Sequence, residues 1–273
     1  HMAMDDRPVG IFDSGLGGLT AMRELRRLLP DESVIYFGDT GRMPYGGRPR
    51  EEIRQMAEQN LDFMEGFDVK AILVACGTIS SNAADILESC ETKTVGVLLP
   101  GVRELCRTGK KRLGVIATAT SIKSGAFQRE ISALAPEAEL TATACPEFVP
   151  LIESGHFAAD DPLVREAVER SLAPLKQAGV EALLLGCTHF GIIADAIAAY
   201  LGGEVILVGA AEAAAQELCA CLRDSDMTNP FGGEEFFFTS GSLDGFEALA
   251  PVMLGGFLRG EVSFRDPEPV EVD

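Results

Sequence analysis

Leu-Leu-Leu-Gly-Cys-Thr-His-Phe occupies residues 183–190. A short apolar run ends at a glycine, and a thiol, a hydroxyl and an imidazole follow on successive residues. This order is typical of a buried strand that stops where a polar loop begins. Residues 71–81, Ala-Ile-Leu-Val-Ala-Cys-Gly-Thr-Ile-Ser-Ser, follow the same plan earlier in the chain. The sequence therefore predicts that Cys76 and Cys187 each follow a strand and face one cleft.

Short apolar runs alternate with helical patterns along the remaining chain. Strands are predicted at residues 9–12, 33–37, 71–75, 94–98, 113–117, 139–144, 182–185, 204–208 and 236–240. Helices are predicted at residues 49–65, 124–134, 162–178 and 210–222, with others ending near residue 29, starting near residue 82 and following the last strand. Such alternation is typical of parallel sheets that are covered by helices on both faces.

The second half of the chain repeats the plan of the first, and 273 residues are enough for two domains. We therefore expect an α/β fold with two similar domains, each a parallel-type sheet flanked by helices. The active site is expected in the interdomain cleft, because open parallel sheets bind ligands at the carboxyl ends of their strands. The first domain is predicted to combine residues 4–99 and 210–265, and the second to span residues 100–209. Residues 266–273 are predicted to form a frayed tail.

The composition argues against several classes of protein. The formal net charge is -19, and the chain has no basic cluster of the kind that nucleic acid requires of a partner. The same charge disfavours an anionic substrate unless backbone amides and hydroxyls form a local pocket for it. No apolar run approaches the ~20 residues of a membrane span and no signal peptide is evident, which predicts a cytoplasmic protein without membrane contact. His1-Met2 resembles a cloning remnant.

Seven cysteines are scattered along the chain without CxxC pairs. In a cytosolic protein this pattern predicts neither disulfides nor a metal site. Four of the cysteines are interpreted as small buried apolar residues, namely Cys90, Cys106, Cys219 and Cys221. Cys145 lies at a strand end, and a structural role is favoured for it too. Cys76 and Cys187 differ, since each leaves a strand close to a threonine and the two occupy equivalent places in the two halves.

Two glycine-rich loops follow the first two strands. In residues 13–20, Asp-Ser-Gly-Leu-Gly-Gly-Leu-Thr, the glycines would let a ligand approach the backbone, and amides at the helix start could hold a carboxylate or phosphate. Asp13 is either a helix-start residue or a carboxylate that faces a site. Residues 38–47 carry Asp, Thr and Tyr among glycines, and they either line a pocket or form a flexible surface connection.

Two thiols across a cleft suit the inversion of a carbon next to a carboxylate. The reaction requires a base that removes a proton on one face and an acid that delivers a proton on the other. A free cysteine has a pKa near ~8.5, so it needs a proton acceptor or a positive environment to act as a base. His189 could activate Cys187, and Asp13 could activate Cys76. The alternative for His189 is a loop histidine with a purely structural hydrogen bond.

Several motifs taken together resemble the glutamate racemases of the aspartate/glutamate racemase superfamily. They are Asp13-Ser14-Gly15, Gly38-Asp39-Thr40, Pro44-Tyr45-Gly46, Ala75-Cys76 with Thr78, Cys145-Pro146 followed by Phe148-Val149-Pro150-Leu151 and Glu153, and Gly186-Cys187-Thr188-His189. The resemblance extends from about Val9 to Leu222. Each motif alone is weak, but their combination and order are highly specific.

The resemblance implies a cofactor-independent, two-base racemase that converts L-glutamate to D-glutamate for bacterial peptidoglycan and commonly forms a homodimer. Carried over by motif, the acid/base residues would be Cys76 and Cys187. Proton transfer would be assisted by Asp13, Glu153 and His189. The substrate-binding residues would be Ser14, Tyr45, Gly46, Gly77, Thr78, Thr118, Thr120 and Thr188. The family normally has an asparagine after the first catalytic cysteine, where this chain has Gly77 and offers only backbone.

Gly77 keeps other functions open. The space that it opens is compatible with a racemase for aspartate or another amino acid, and the missing amide with a protein that binds an amino acid without turnover. A pyridoxal-phosphate enzyme is disfavoured, because no strand-end motif contains the lysine for a Schiff base. A thiol hydrolase is disfavoured as well, because Cys187 and His189 are only two residues apart and Cys76 would have no role.

Overall fold

The structure is a computed structural model that describes residues 4–271. The predicted cloning remnant and the last two residues of the predicted tail lie outside the described residues. The strands are β1 (Val9–Asp13), β2 (Val34–Gly38), β3 (Ala71–Val74), β4 (Lys93–Gly96), β5 (Arg112–Ala117), β6 (Glu139–Ala144), β7 (Ala182–Leu185), β8 (Ile206–Gly209), β9 (Glu235–Thr239) and β10 (Val262–Phe264).

The helices connect and cover these strands. They are α1 (Leu19–Leu28), α2 (Arg50–Glu65), α3 (Gly77–Asn82), α4 (Ala84–Glu88), α5 (Leu98–Arg107), α6 (Ala119–Ser124), α7 (Ala126–Leu134), α8 (Phe148–Glu153), α9 (Pro162–Ala178), α10 (Ala194–Leu201), α11 (Ala210–Asp224) and α12 (Leu243–Leu254). Short 3-10 helices span Thr40–Arg42 and Thr188–Ile193. Within residues 4–271, no helix is both long and apolar enough to cross a bilayer.

The strands form two parallel sheets. The first has the order β10-β9-β2-β1-β3-β4 and the second the order β6-β5-β7-β8. Every neighbouring pair is parallel. β1, β2, β3 and β7 are buried along their whole length, as strands must be when helices cover both faces of a sheet. The predicted α/β fold class with two parallel sheets is confirmed.

The end of the chain returns to the first sheet. β9 pairs with β2, and β10 pairs with β9. The second sheet is built only from strands within residues 112–209. This topology supports the insertion of one domain into the other, and the exact domain limits stay a prediction. β10 has three residues, too few for an apolar pattern in the sequence to reveal it.

The structure changes the predicted bounds around the fourth strand and adds one helix there. The strand predicted at residues 94–98 is shorter, because β4 ends at Gly96 and α5 begins at Leu98. Pro100 lies in the first turn of α5, where its missing N–H leaves no helical hydrogen bond unmade. The helix expected from about residue 82 is α4, which begins at Ala84. A further helix that was not predicted, α3, begins directly after Cys76 and ends at Asn82.

Helices beside the second sheet also differ from the prediction. The helix expected at residues 124–134 begins at Ala126 as α7. It is preceded by α6, which was not predicted, and the two are separated at Gly125, whose φ of 72° lies in the left-handed region that favours glycine. No helix is predicted between residues 144 and 162, but Phe148–Glu153 form α8. Phe148 and Ile152 bury their side chains there, and these apolar contacts favour a helix of only six residues.

Residues 266–271 contain no helix or strand, yet they are held against α2, so the prediction of a frayed tail is wrong for these residues. The Gln55 side chain donates to the carbonyl of Glu271 at 2.8 Å and accepts from its amide at 2.9 Å. Gln59 donates to the carbonyl of Pro269 at 3.2 Å. Polar side chains of a neighbouring helix therefore satisfy the backbone of this segment, which its composition could not reveal.

Candidate active site

A cavity of about 110 Å³ opens at the carboxyl ends of β1, β3, β5 and β7. It lies between the two sheets, where open parallel sheets usually bind ligands. Its lining residues are Asp13, Ser14, Pro44, Tyr45, Gly46, Gly47, Cys76, Gly77, Thr78, Thr118, Ala119, Cys145, Pro146, Val149, Pro150, Cys187, Thr188 and His189. The predicted site residues all line this cavity except Glu153 and Thr120.

Cys76 stands between β3 and α3 at one side of the cavity. Cys76 is only 4% exposed to solvent. Burial raises the pKa of Cys76 to about 12, and the nearby charges of Asp13 and Cys187 act in the same direction. The proton therefore stays on this sulfur at neutral pH. Cys76 is prepared to act as a proton donor.

Asp13 ends β1 on the same side of the cavity. One carboxylate oxygen accepts from the Ser14 amide at 2.7 Å, and the other accepts from the Gly18 amide at 2.8 Å. Burial raises the pKa of Asp13 above its ordinary value, although the charge of His189 and the two amides oppose the shift. Within the described residues no hydrogen bond joins Asp13 to the Cys76 thiol. Asp13 therefore influences Cys76 through its charge.

Cys187 stands between β7 and the 3-10 helix on the opposite side. The His189 ring lies beside it, with 3.8 Å between Nδ1 and the Cys187 sulfur. The other ring nitrogen, Nε2, is hydrogen-bonded to the Glu153 carboxylate. Cys187, His189 and Glu153 thus form a continuous hydrogen-bonded chain. Glu153 lies behind His189, which explains why it does not line the cavity.

The hydrogen bonds from Cys187 and Glu153 to the His189 ring determine the charge of that ring. Burial alone would lower the pKa of His189, but the hydrogen bonds and negative charges of Cys187 and Glu153 outweigh it and hold this pKa well above its ordinary value. The ring can therefore carry a proton at neutral pH. A charged imidazole between a thiol and a carboxylate can pass a proton to or from the sulfur.

The glycines of the first loop leave room for the side chains of His189 and Glu153. A Cβ on Gly17 would lie 2.3 Å from Nδ1 of His189, and a Cβ on Gly15 would lie 2.8 Å from a Glu153 oxygen. The Leu16 amide donates to the same oxygen at 3.2 Å. The expectation that these glycines make room for a ligand is therefore wrong for Gly15 and Gly17, since protein side chains fill the space. No local pattern in the sequence indicates which groups approach these glycines.

Hydroxyl groups supply most of the polar surface of the cavity. Thr78 and Thr118 bridge the two sides with 2.8 Å between their hydroxyl oxygens. The Thr188 hydroxyl oxygen is buried and has no hydrogen-bond partner among the described residues. No lysine or arginine side chain is among the residues that line the cavity. An anionic ligand would therefore be held by hydroxyls and backbone amides.

Tyr45 and Thr120 hold the loop that closes the cavity on the side of β2. The Tyr45 hydroxyl is hydrogen-bonded to the Asp39 carboxylate and accepts from Asn60 at 3.0 Å, so it is not free for a ligand. Burial raises the pKa of Tyr45 well above its ordinary value. Thr120 accepts from the Gly47 amide at 2.6 Å, which places it at the rim. These two predicted binding residues shape the cavity, and only Tyr45 borders it.

Asn60 contributes to the site and was not anticipated. It lies on the buried face of α2 together with Met56 and Leu61 and is fully buried. The sequence could have indicated Asn60, because it is a polar residue at an apolar position of an amphipathic helix.

Cys145 is a third thiol at the cavity. It is buried, and burial raises its pKa to about 12. Cys145 therefore keeps its proton, which is compatible with the predicted structural role of this residue. All seven cysteines, including the four interpreted as buried apolar residues, are free thiols. Cys219 is fully buried, whereas Cys90, Cys106 and Cys221 are partly exposed.

The residues of the site do not fit the two common alternatives to thiol chemistry. Within residues 4–271, no group of three or more His, Cys, Asp or Glu side chains is arranged to hold a metal ion. A pyridoxal-phosphate Schiff base needs a lysine, and none lines the cavity.

The fold and the paired thiols define a class of two-sheet α/β proteins with one thiol on either side of a central cavity. Residues 17–218 match the Asp/Glu/Hydantoin racemase family, and the chain belongs to this family. The resemblance seen in the motifs is confirmed. A glutamate racemase from Thermoanaerobacter pseudethanolicus is 39% identical over 256 residues, which cover 92% of this chain and 95% of that protein. One from Picosynechococcus sp. is 45% identical over 206 residues, covering 75% and 73%.

Solved structures of the family have the same architecture. Glutamate racemase isoform RacE1 from Bacillus anthracis has a TM-score of 0.88 and 32% identity, with 97% of this chain and 99% of that chain covered. Glutamate racemase from Francisella tularensis, solved in complex with D-glutamate, has a TM-score of 0.86 and 33% identity, with coverage of 95% and 96%. An aspartate racemase from Picrophilus torridus, at 17% identity and a TM-score of 0.58, shares the fold alone; 81% of this chain and 94% of that chain are covered.

Proposed function

We propose that this chain is an amino-acid racemase that interconverts L- and D-glutamate without a cofactor. The observation that carries the proposal is the placement of Cys76 and Cys187 at the ends of two strands, one from each sheet, on one cavity. The similarity to glutamate racemases over most of the chain supports glutamate as the substrate. The two carboxylates of glutamate can accept hydrogen bonds from the hydroxyls and backbone amides of the cavity.

In the proposed reaction, Cα of glutamate loses a proton from one face and gains a proton on the opposite face. A thiolate takes the Cα hydrogen, and the electron pair remains on Cα, delocalised into the carboxyl group. The thiol on the other face then gives its proton to Cα. One cysteine has gained a proton and the other has lost one, so the site must be reset before the next turnover in the same direction.

The two thiols begin this cycle in different states. Cys76 carries its proton because its pKa is about 12. Cys187 has His189 next to it, which can accept the thiol proton or return it, while Glu153 holds the ring in place. In the proposed complex the ammonium group of glutamate lies near Asp13 and introduces a positive charge. That charge lowers the pKa of Cys76, so substrate itself prepares the second thiol.

The same proposal extends to biological context. D-Glutamate formed in this way would serve bacterial peptidoglycan. We expect a cytoplasmic homodimer whose partner is the small-molecule substrate and not nucleic acid or membrane. The assignments of the site residues, including Ser14, Gly46 and Thr78 as substrate contacts, belong to this proposal.

The proposal is tested by α-proton exchange and racemisation of L- and D-glutamate in deuterated water, followed by NMR and a chiral assay. The expected result is racemisation with deuterium at Cα for the parent, and a loss of racemisation by at least about 10²-fold in both Cys76→Ala and Cys187→Ala, since each removes a group that transfers a proton. Cys106→Ala is the matched control, because its partly exposed thiol lies outside the cavity. A parent that racemises aspartate but not glutamate would contradict the assignment of substrate, and glutamate binding without exchange would contradict catalysis.

A further inference from the structure

A buried tyrosine outside the cavity lining is hydrogen-bonded to the loop that follows β1. Tyr36 lies in β2 and is fully buried, and its hydroxyl donates to the Gly15 carbonyl at 2.8 Å. Its ring packs against Phe246, with 6.2 Å between the ring centroids. Burial raises the pKa of Tyr36 well above its ordinary value, and the charges of Asp13 and Glu153 act in the same direction. The hydroxyl therefore keeps its proton and acts as a hydrogen-bond donor.

The hydrogen bond from Tyr36 lies at one end of a peptide plane, and the other end of that plane faces the groups beside Cys187. The Gly15 carbonyl and the Leu16 amide belong to one planar trans peptide unit, so they point in opposite directions. The amide donates to a Glu153 oxygen at 3.2 Å, and the same oxygen is hydrogen-bonded to the histidine of the site. A bond that fixes the carbonyl of this plane therefore also fixes the direction of its amide.

We infer that Tyr36 is a positioning residue for proton transfer at Cys187. Its hydroxyl holds the peptide plane between Gly15 and Leu16, and the amide of that plane supports the Glu153 carboxylate. The inference rests on the proposed racemisation. Tyr36 belongs to the first sheet and the peptide plane to the loop after β1, whereas Glu153 and Cys187 lie beside the second sheet. The groups that move a proton beside one sheet are thus oriented from the other sheet.

The substitution Tyr36→Phe removes the hydroxyl and keeps the ring that packs in the core. The peptide plane then loses the bond at its carbonyl, and the glycine on one side of the plane allows it to turn. A weaker bond from the Leu16 amide leaves more negative charge on the Glu153 oxygen, and this charge stabilises the protonated ring of His189. The pKa of His189 should therefore rise, whereas removal of the Glu153 charge would lower it.

Three titratable groups act on the His189 ring. Cys187 adjoins Nδ1 from the start of the 3-10 helix, and Glu153 adjoins Nε2 from the end of α8. Asp13 interacts with the ring through its charge from the end of β1. Tyr36→Phe alters none of these three side chains. A change in the pKa of His189 would therefore report on the support of the Glu153 carboxylate and not on a lost charge.

The first experiment is an NMR titration of the histidine rings in the parent and in Tyr36→Phe. We expect the pKa of His189 to rise, with His156 unchanged as the internal reference, because His156 lies outside the cavity lining. Tyr200→Phe is the matched control: it removes the same hydroxyl group from α10, where the ring lies beneath Lys176, and its titration should match the parent. An unchanged or lowered pKa of His189 in Tyr36→Phe would overturn the inference.

The second experiment measures the racemisation of glutamate. Tyr36→Phe should lower kcat by about three- to tenfold, the contribution of one neutral hydrogen bond, while KM changes less than about twofold. In a Glu153→Gln background the same substitution should lower kcat by less than about twofold, because the charge that the peptide plane supports is then absent. Losses that multiply would show that Tyr36 acts by another route and would overturn the inference. A failure of the proposed function is visible separately as absent racemisation in the parent, since the titration needs no turnover.

Discussion

The two sides of the cavity share a strand-end plan but differ in how they handle a proton. On one side, Cys187 is connected through His189 to Glu153 by side-chain hydrogen bonds. On the other side, the two carboxylate oxygens of Asp13 accept hydrogen bonds from backbone amides, and Asp13 affects Cys76 only through its charge. A repeated fold therefore does not imply repeated chemistry. One thiol has a path along which a proton can move, and the other is held as a proton donor.

The largest expected effect comes from cutting the path beside Cys187. His189→Asn removes the ring that adjoins the sulfur, and loss of a general acid/base group typically lowers a rate by about 10²–10⁴-fold. Steady-state kinetics in both directions measure the loss. His156→Asn is the matched control, because His156 is partly exposed and pairs with Asp161 away from the cavity. A loss below about tenfold would mean that Cys187 exchanges its proton without the histidine.

A smaller effect is expected from Glu153→Gln. The amide keeps an oxygen for the His189 ring but removes the negative charge, and hydrogen bonds to charged groups contribute about 1.5–3 kcal/mol. Racemisation should fall by roughly 10- to 150-fold, less than in His189→Asn, and the pKa of His189 should fall as well. An NMR titration of the ring measures the pKa. An unchanged pKa would remove Glu153 from the hydrogen-bonded chain.

On the Cys76 side, Asp13→Asn should change a thiol titration. After burial, the Asp13 charge is the largest cause that raises the pKa of Cys76 to about 12. Removing a negative charge favours the thiolate, so alkylation of Cys76 by iodoacetamide should become faster at a given pH above 8. Peptide mass spectrometry measures the rate, with Cys145 in the same protein as the internal reference. An identical pH profile in both proteins would show that burial alone sets this pKa.

The smallest expected effect is on stability. The pKa of His189 is raised above its unfolded value near 6.5, so the folded protein binds this proton more tightly. The resulting stabilisation is complete below about pH 6.5 and is lost as the pH rises through the folded pKa. Urea unfolding of the parent and of His189→Asn between pH 6 and 9 should therefore give a difference that shrinks with pH. A constant difference would contradict a charged ring in the folded state.

The sequence predicted the site best where chemistry follows directly from position. Apolar runs that end in Gly186-Cys187 and Ala75-Cys76 locate two strands, and parallel strands that end at the same edge bring the thiols together. The hydroxyls of Thr78 and Thr188 follow by the same reasoning. These predictions need only local patterns and the rule that parallel sheets bind ligands at the carboxyl ends of their strands.

Contacts between distant segments could not be predicted in this way. The glycines at 17 and 77 allow close approach, but the groups that approach them, His189 and the Gly186 carbonyl, are more than a hundred residues away in sequence. The same holds for residues 266–271, which α2 binds through glutamine side chains. Composition describes what a segment could do alone, whereas these contacts depend on which elements the fold places side by side.

The pairing of β9 with β2 has a consequence for synthesis on the ribosome. β2 ends at Gly38 and its partner begins at Glu235, about 200 residues later. At ~5–20 residues per second, roughly 10–40 s pass before the partner strand emerges. During that time β2, whose five residues are all buried in the finished protein, has an open edge that could pair with another chain. The strands made first are therefore among the last to be completed, and they are where a nascent chain most needs protection.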